Sequence, residues 1–136
     1  MVKHFNIAIP LVFLLTFFIR PAEGEDLLKV DEMVFCRNVE KMEPVGVKNQ
    51  FFESAEKLYC FTRIAGAVDT TSVYHIWYYG ERELARVKLP VRSPLWRTWS
   101  SKRMTDSREG SWKVVVTTED STVISEKEFI YKPLKE

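Results

Sequence analysis

The hydrophobic pattern of the chain changes character near residue 25. Before it, Ile7 to Ile19 form one uncharged apolar run of 13 residues. After it, apolar positions come in short runs rich in β-branched and aromatic residues and separated by turn residues, the pattern of strands. The runs are Met33–Val39, Leu58–Ala65, Ser72–Tyr79, Leu84–Val91, Leu95–Lys102, Trp112–Thr118 and Val123–Tyr131. Period-two alternation puts Ala85, Val87, Leu89 and Val91 on one face and Arg86 and Lys88 on the other. Loops are predicted from Glu43 past Phe52, at Asp69–Ser72 and at Asp106–Ser111, with a hairpin turn at Glu119-Asp120-Ser121. A turn near Glu53–Lys57 is the only helix expected. Seven short strands at such spacing predict an all-β fold. The expected form is an antiparallel immunoglobulin/fibronectin-III-like β-sandwich with Trp112, Val114, Val116, Val87 and Leu89 in one core.

The amino-terminal run has a different meaning. Lys3 and His4 precede it, and Arg20-Pro21-Ala22-Glu23-Gly24 follow it. A short basic start, a brief apolar stretch and small residues at Ala22 and Gly24 read as a secretory signal peptide, residues 1–24, cleaved after Gly24. Thirteen residues are short for a membrane anchor, and Pro10 would break a core helix. Cleavage leaves residues 25–136 as a single β-sandwich domain with no membrane span, periplasmic or secreted. The removed segment takes Lys3, Arg20 and Glu23 with it, so the remaining domain is formally neutral. A neutral balance excludes a general nucleic-acid binder.

Export bears on the cysteines. Cys36 and Cys60 each lie inside a strand-like run, in an oxidising compartment if the signal is read correctly. A disulfide would close a 25-residue loop, worth about 3.5 kcal/mol in the chain-entropy model. The alternative is two buried thiols acting as small hydrophobes. Two Cys and one His without ligand spacing fall short of a metal set.

The residues with chemical interest lie between His75 and Trp112. All four tryptophans fall there, and from Glu81 to Lys113 nine Lys and Arg stand against four acids. Basic groups interleaved with indoles suit an anion or a sugar, since Arg offers a planar fork and indole a flat face. The candidate ligand-binding residues are His75, Trp77, Trp96, Arg97, Trp99, Ser100 and Lys102. Each also has a plainer reading. His75 and Trp77 share a strand face, which makes Trp77 core packing and His75 a hydrogen-bonded partner beside it. The basic residues can equally form a solvated face.

His75-Ile76-Trp77-Tyr78-Tyr79, Val87-Lys88-Leu89, Trp96-Arg97-Thr98-Trp99-Ser100-Ser101-Lys102 and Gly110-Ser111-Trp112-Lys113-Val114 resemble a bacterial family catalogued as domain of unknown function 2914. Cys36-Arg37 and Tyr59-Cys60-Phe61-Thr62-Arg63-Ile64 are similar to its pattern as well. The resemblance implies a small extracytoplasmic domain of an envelope protein and supplies no activity. It departs at the last hairpin, where Glu119-Asp120-Ser121 stands in place of a glycine turn.

Enzyme signatures are lacking. Ser100, His75 and Asp106 could compose a Ser-His-acid set, but no nucleophile elbow surrounds any serine. No phosphate-binding glycine loop or dinucleotide fingerprint calls for a cofactor. The expected function is a non-catalytic binding or interaction module, engaging an anionic glycan, peptide or envelope protein. The alternative is a small envelope hydrolase acting on cell-wall sugar or peptide. A cleft holding His75 beside a serine favours the hydrolase; an open basic and aromatic patch favours the binding module.

Overall fold

The computed structural model describes residues 27–135. The signal peptide expected at 1–24 lies outside the described residues. Ten strands follow: β1 (Lys29–Cys36), β2 (Asn38–Glu40), β3 (Glu43–Val45), β4 (Gln50–Phe51), β5 (Lys57–Ala65), β6 (Thr71–Tyr79), β7 (Arg82–Val91), β8 (Leu95–Arg103), β9 (Gly110–Thr118) and β10 (Val123–Tyr131). Each apolar run read from the sequence holds one long strand. The first starts earlier than its run, at Lys29, and breaks at Arg37. The segment expected as loop after it contains the short strands β3 and β4. No helix forms at Glu53–Lys57. Five residues rarely repay helix nucleation, and the Ala55 amide instead donates to the Tyr131 hydroxyl at 3.2 Å. One 3-10 turn, Asp106–Arg108, sits in the β8–β9 connection.

The long strands form two sheets, β1-β5-β8 and β4-β10-β9-β6-β7, with β2-β3 as a separate hairpin. Pairing is antiparallel except where the two-residue β4 runs parallel to β10. Alternation directs Phe35, Leu58, Cys60 and Ile64 from the first sheet against Trp77, Trp112, Val114, Val116, Phe129 and Tyr131 from the second. Phe129 is the hub, with ring centroids of Phe35 at 4.5 Å, Phe51 and Trp112 at 6.0 Å and Trp77 at 6.2 Å. Burying each such side chain contributes about 1.5–3 kcal/mol. Val87 and Leu89 pack against this core but stay half-buried, because β7 is an edge strand. A register shift between Trp77 and Tyr78 leaves Leu84 as an extra residue on β7. Both Leu84 and Ala85 then pack against the core although they are adjacent.

The β2-β3 hairpin folds back over the outer face of β1-β5-β8. Its turn residues Lys41 and Met42 have φ of 50° and 63°, as a two-residue turn matching the strand twist requires. Met42 and Glu43 both reach Arg97 on β8, and Phe61 on the same outer face is buried. No helix among the described residues is long and apolar enough to cross a membrane.

Candidate functional site

The structure separates the seven candidate residues into three places. His75 and Trp77 on β6 and Ser100 on β8 meet in the interior between the sheets. Arg97 and Trp99 stand on the outer face of β1-β5-β8. Trp96 and Lys102 lie at the edge where β8 borders the core, opposite Ile64 and Leu58.

The interior group is a chain of hydrogen bonds whose direction can be deduced. Trp77 Nε1–H can only donate, and it lies 3.0 Å from Ser100 Oγ. At the other end Thr62 Oγ1 donates to the Thr98 carbonyl at 3.1 Å. Thr62 has thereby used its proton, so it accepts from His75 Nε2 at 3.0 Å. His75 is then the Nε2–H tautomer, and its bare Nδ1 accepts from Ser100 Oγ–H at 2.7 Å. Every proton has one acceptor. His75 is fully buried, and burial lowers its pKa from 6.5 to about 3. The imidazole is neutral at neutral pH.

This arrangement corrects the reading of these three residues as ligand contacts. Ser100 is only 5 % exposed, and His75 and Trp77 are at 0 %; their polar atoms face one another across the sheet interface. Asp106, the acid that could complete a Ser-His-acid set, is exposed on the 3-10 turn and accepts from Ser54 at 3.5 Å. It makes no contact with His75.

The outer face of β1-β5-β8 is charge-compensated. Arg97 pairs with Glu43 at 2.8 Å, and its register neighbour Arg63 pairs with Asp31 at 2.7 Å and Glu32 at 3.8 Å. Trp99 stacks on Phe61 with centroids 6.2 Å apart and planes at 13°. Arg97 therefore clasps the β2-β3 hairpin. Arg86 and Lys88 lie apart from Arg97 and Lys102, on the outer face of the other sheet.

The cysteines are likewise divided. Cys36 pairs in register with Tyr59, and Cys60 with Phe35, so the two side chains leave opposite faces of the sheet. Both thiols are free and buried, and the expected bridge is not made. Burial pushes both pKa values up, most strongly at Cys60. Among the described residues no group of three or more His, Cys, Asp or Glu is placed to hold a metal.

The outer face of β10-β9-β6-β7 carries a surface that sequence reasoning did not single out. If His75 and Trp77 point inward, Tyr74, Ile76 and Tyr78 must point outward, and this alternation was the signal available. Arg86 lies over the Tyr74 ring at 5.8 Å and Lys113 over Tyr78 at 5.2 Å. Lys88 is the register partner of Tyr74 and is exposed. Ile76 and Val115, side by side in register, form a buried apolar floor between these pairs. Glu83 pairs with Arg86 at 2.7 Å, and Glu126 and Glu128 on β10 bound the strip on its far side.

No curated protein matches the chain. The upstream part of the resemblance, Cys36-Arg37 and Tyr59–Ile64, falls outside the stretch that a family model matches. That stretch, residues 70–130, runs from the residue before β6 to Ile130 in β10. Over it, including His75, Ser100 and the outward tyrosines, the chain matches the model of the family described as protein of unknown function (DUF2914).

Proposed function

We propose that the protein is a non-catalytic binding module, exported to the periplasm or beyond, with an immunoglobulin/fibronectin-III-like sandwich. The strand order supports the fold type. Counting only the seven long strands, one sheet holds the first, second and fifth, and the other runs seventh, sixth, third, fourth. Two hallmarks of such sandwiches, a buried core tryptophan and a hydrogen-bonded corner, have counterparts. Trp77 is the buried indole on the third long strand. Trp112, near the start of the sixth, donates Nε1–H to the Arg108 carbonyl at 2.9 Å, the task a tyrosine performs at that corner in immunoglobulin-like domains.

The observation that carries the function is the outward row of Tyr74 and Tyr78 under Arg86 and Lys113, with Lys88 exposed beside it. Cations held over aromatic rings present charge and a flat face together, which suits an anionic glycan, peptide or envelope protein. The hydrolase reading draws on one observation, Ser100 Oγ donating to His75 Nδ1. Against it, that oxygen already accepts from Trp77, both residues are buried, and His75 Nε2 meets a threonine where a triad would place a carboxylate.

Titration with a polygalacturonate oligomer tests the proposal. Lys88→Ala combined with Lys113→Ala should weaken binding about tenfold or more, on the usual worth of exposed charge and cation–aromatic contacts, while the unfolding midpoint stays put. Added salt should weaken it further, because exposed charges are screened over about 8–10 Å. Arg97→Ala should leave affinity unchanged. If Arg97→Ala abolishes binding and the double variant does not, the ligand face is the other sheet.

A further inference from the structure

The end of the sandwich where the chain enters carries a concentration of exposed apolar side chains. Leu134 near the carboxy terminus aside, every large apolar residue exposed by more than half among the described residues lies there: Leu27 at 52 %, Met42 at 51 %, Val68 at 64 %, Leu95 at 59 % and Val123 at 57 %. The topology brings them together. Leu27 precedes β1, Val68 lies in the β5–β6 connection, and Leu95 and Val123 open β8 and β10. The Gly66 amide donates to the Pro94 carbonyl at 2.9 Å, and Gly66 abuts Leu27, which ties three of these segments to one another. Met42, at the tip of the β2-β3 hairpin, meets Arg97 two residues along from Leu95.

A second observation coincides with the first. The described residues have three non-glycine positions with positive φ, Lys41, Met42 and Ser121. All three are in tight turns at this end, and Lys41 and Met42 have the φ values that the β2-β3 hairpin turn requires to project its tip. The exposed charges here are of mixed sign: Lys29, Lys41 and Arg92 stand beside Glu40, Asp69, Glu119 and Asp120, while exposed Asp31 and Glu43 are paired with Arg63 and Arg97. An apolar contact therefore suits this end better than a charged one. The apolar tips project singly from different connections with polar residues between them, unlike the continuous apolar centre of a protein interface.

We infer that this end docks on a lipid surface, seating Leu27, Met42, Val68 and Leu95 at the boundary of headgroups and acyl chains. The apolar run Ile7–Ile19 joins the domain at the same end. The seven residues between Ile19 and Leu27 span at most about 25 Å. The inference rests here on the export proposed above: a signal run seated in a bilayer would hold this end of the domain towards the membrane. The surface is distinct from the tyrosine face proposed above, and the two can fail independently.

Fluorescence on phosphatidylcholine vesicles tests the inference in the full chain. An environment-sensitive dye is attached at Val68→Cys, or at Ser107→Cys at the opposite end, with Cys36 and Cys60 buried in both. Vesicles should shift the Val68→Cys dye to the blue. Nitroxide-bearing lipid should quench it several-fold more than the Ser107→Cys dye, equally in low and high salt. Adding Leu27→Asp and Leu95→Asp should remove the difference. Equal quenching at the two positions would overturn docking by this end. So would a blue shift at Val68→Cys that needs no vesicles and grows with protein concentration, which would mark a second copy as the occupant, or one that appears only when envelope proteins are added.

Discussion

At His75, burial and hydrogen bonding act in the same direction. The folded state holds the ring neutral with a pKa of about 3, whereas the unfolded chain titrates near 6.5. Between these values the unfolded state binds more protons, so stability is complete above pH 6.5 and falls as pH drops towards 3. The slope should be about 1.4 kcal/mol per pH unit. Urea unfolding across this range should show that slope in the wild type. It should be missing in His75→Gln, which starts from lower stability at pH 7. Ser100→Ala strands two groups at once, the Trp77 indole N–H and His75 Nδ1, and should cost about 2–4 kcal/mol. The pairing of His75 with Trp77 on one face was legible from alternation. The sequence sets Ser100 beside His75 only for a Ser-His-acid set; its role as the partner shared with Trp77 was not legible, because it lies 25 residues from His75 and meets it only once the two sheets are stacked.

Strands were the most legible elements, since each long one carries its own apolar period. The β2-β3 hairpin was not. Asn38 to Val45 has only one or two apolar positions per strand, and it is held by tertiary contacts: the Arg97–Glu43 pair and the Arg97 bond to the Met42 carbonyl. This is also why Arg97 looked like a ligand group. Its partner is contributed by a segment with no strand signature of its own. Connections can be tested more sharply than strands. Gly66 has φ +89°, and a Cβ there would fall 2.0 Å from the Leu27 carbonyl oxygen. Gly66→Ala must push the amino-terminal segment off the β5–β6 connection. Gly80, with φ +57° in the β6–β7 turn, has open space around it, so Gly80→Ala should cost only about 1–2 kcal/mol of backbone strain. Thermal unfolding should show Gly66→Ala clearly the less stable of the two, and equal losses would mean the Leu27 contact yields freely.

For the molecule as a whole, the proposed export and the core make opposing demands on the two thiols. An exported domain meets an oxidising environment, and cysteines in neighbouring strands are natural candidates for a bridge. The sequence could show that both fall in strands, but not the register, and the register decides. Directly opposed residues share a face, and Cys36 and Cys60 are each opposed to an aromatic residue instead. Joining them would require β1 to slip by one residue, which would turn Phe35 out of the core. Phe35 lies 4.5 Å from Phe129 at the centre of that core, and expelling a buried phenylalanine costs about 3–5 kcal/mol on the scale of its deletion. That is as large as the approximately 3.5 kcal/mol a 25-residue loop closure could return. Protein isolated from the envelope of an expressing bacterium should therefore begin at Glu25 and have the mass of the fully reduced chain. Both thiols should resist alkylation until denaturant is added, because they are buried and their pKa values are raised. A mass lower by two hydrogens would show that the strands do slip and that the bridge, once made, outweighs the loss of Phe35 from the core.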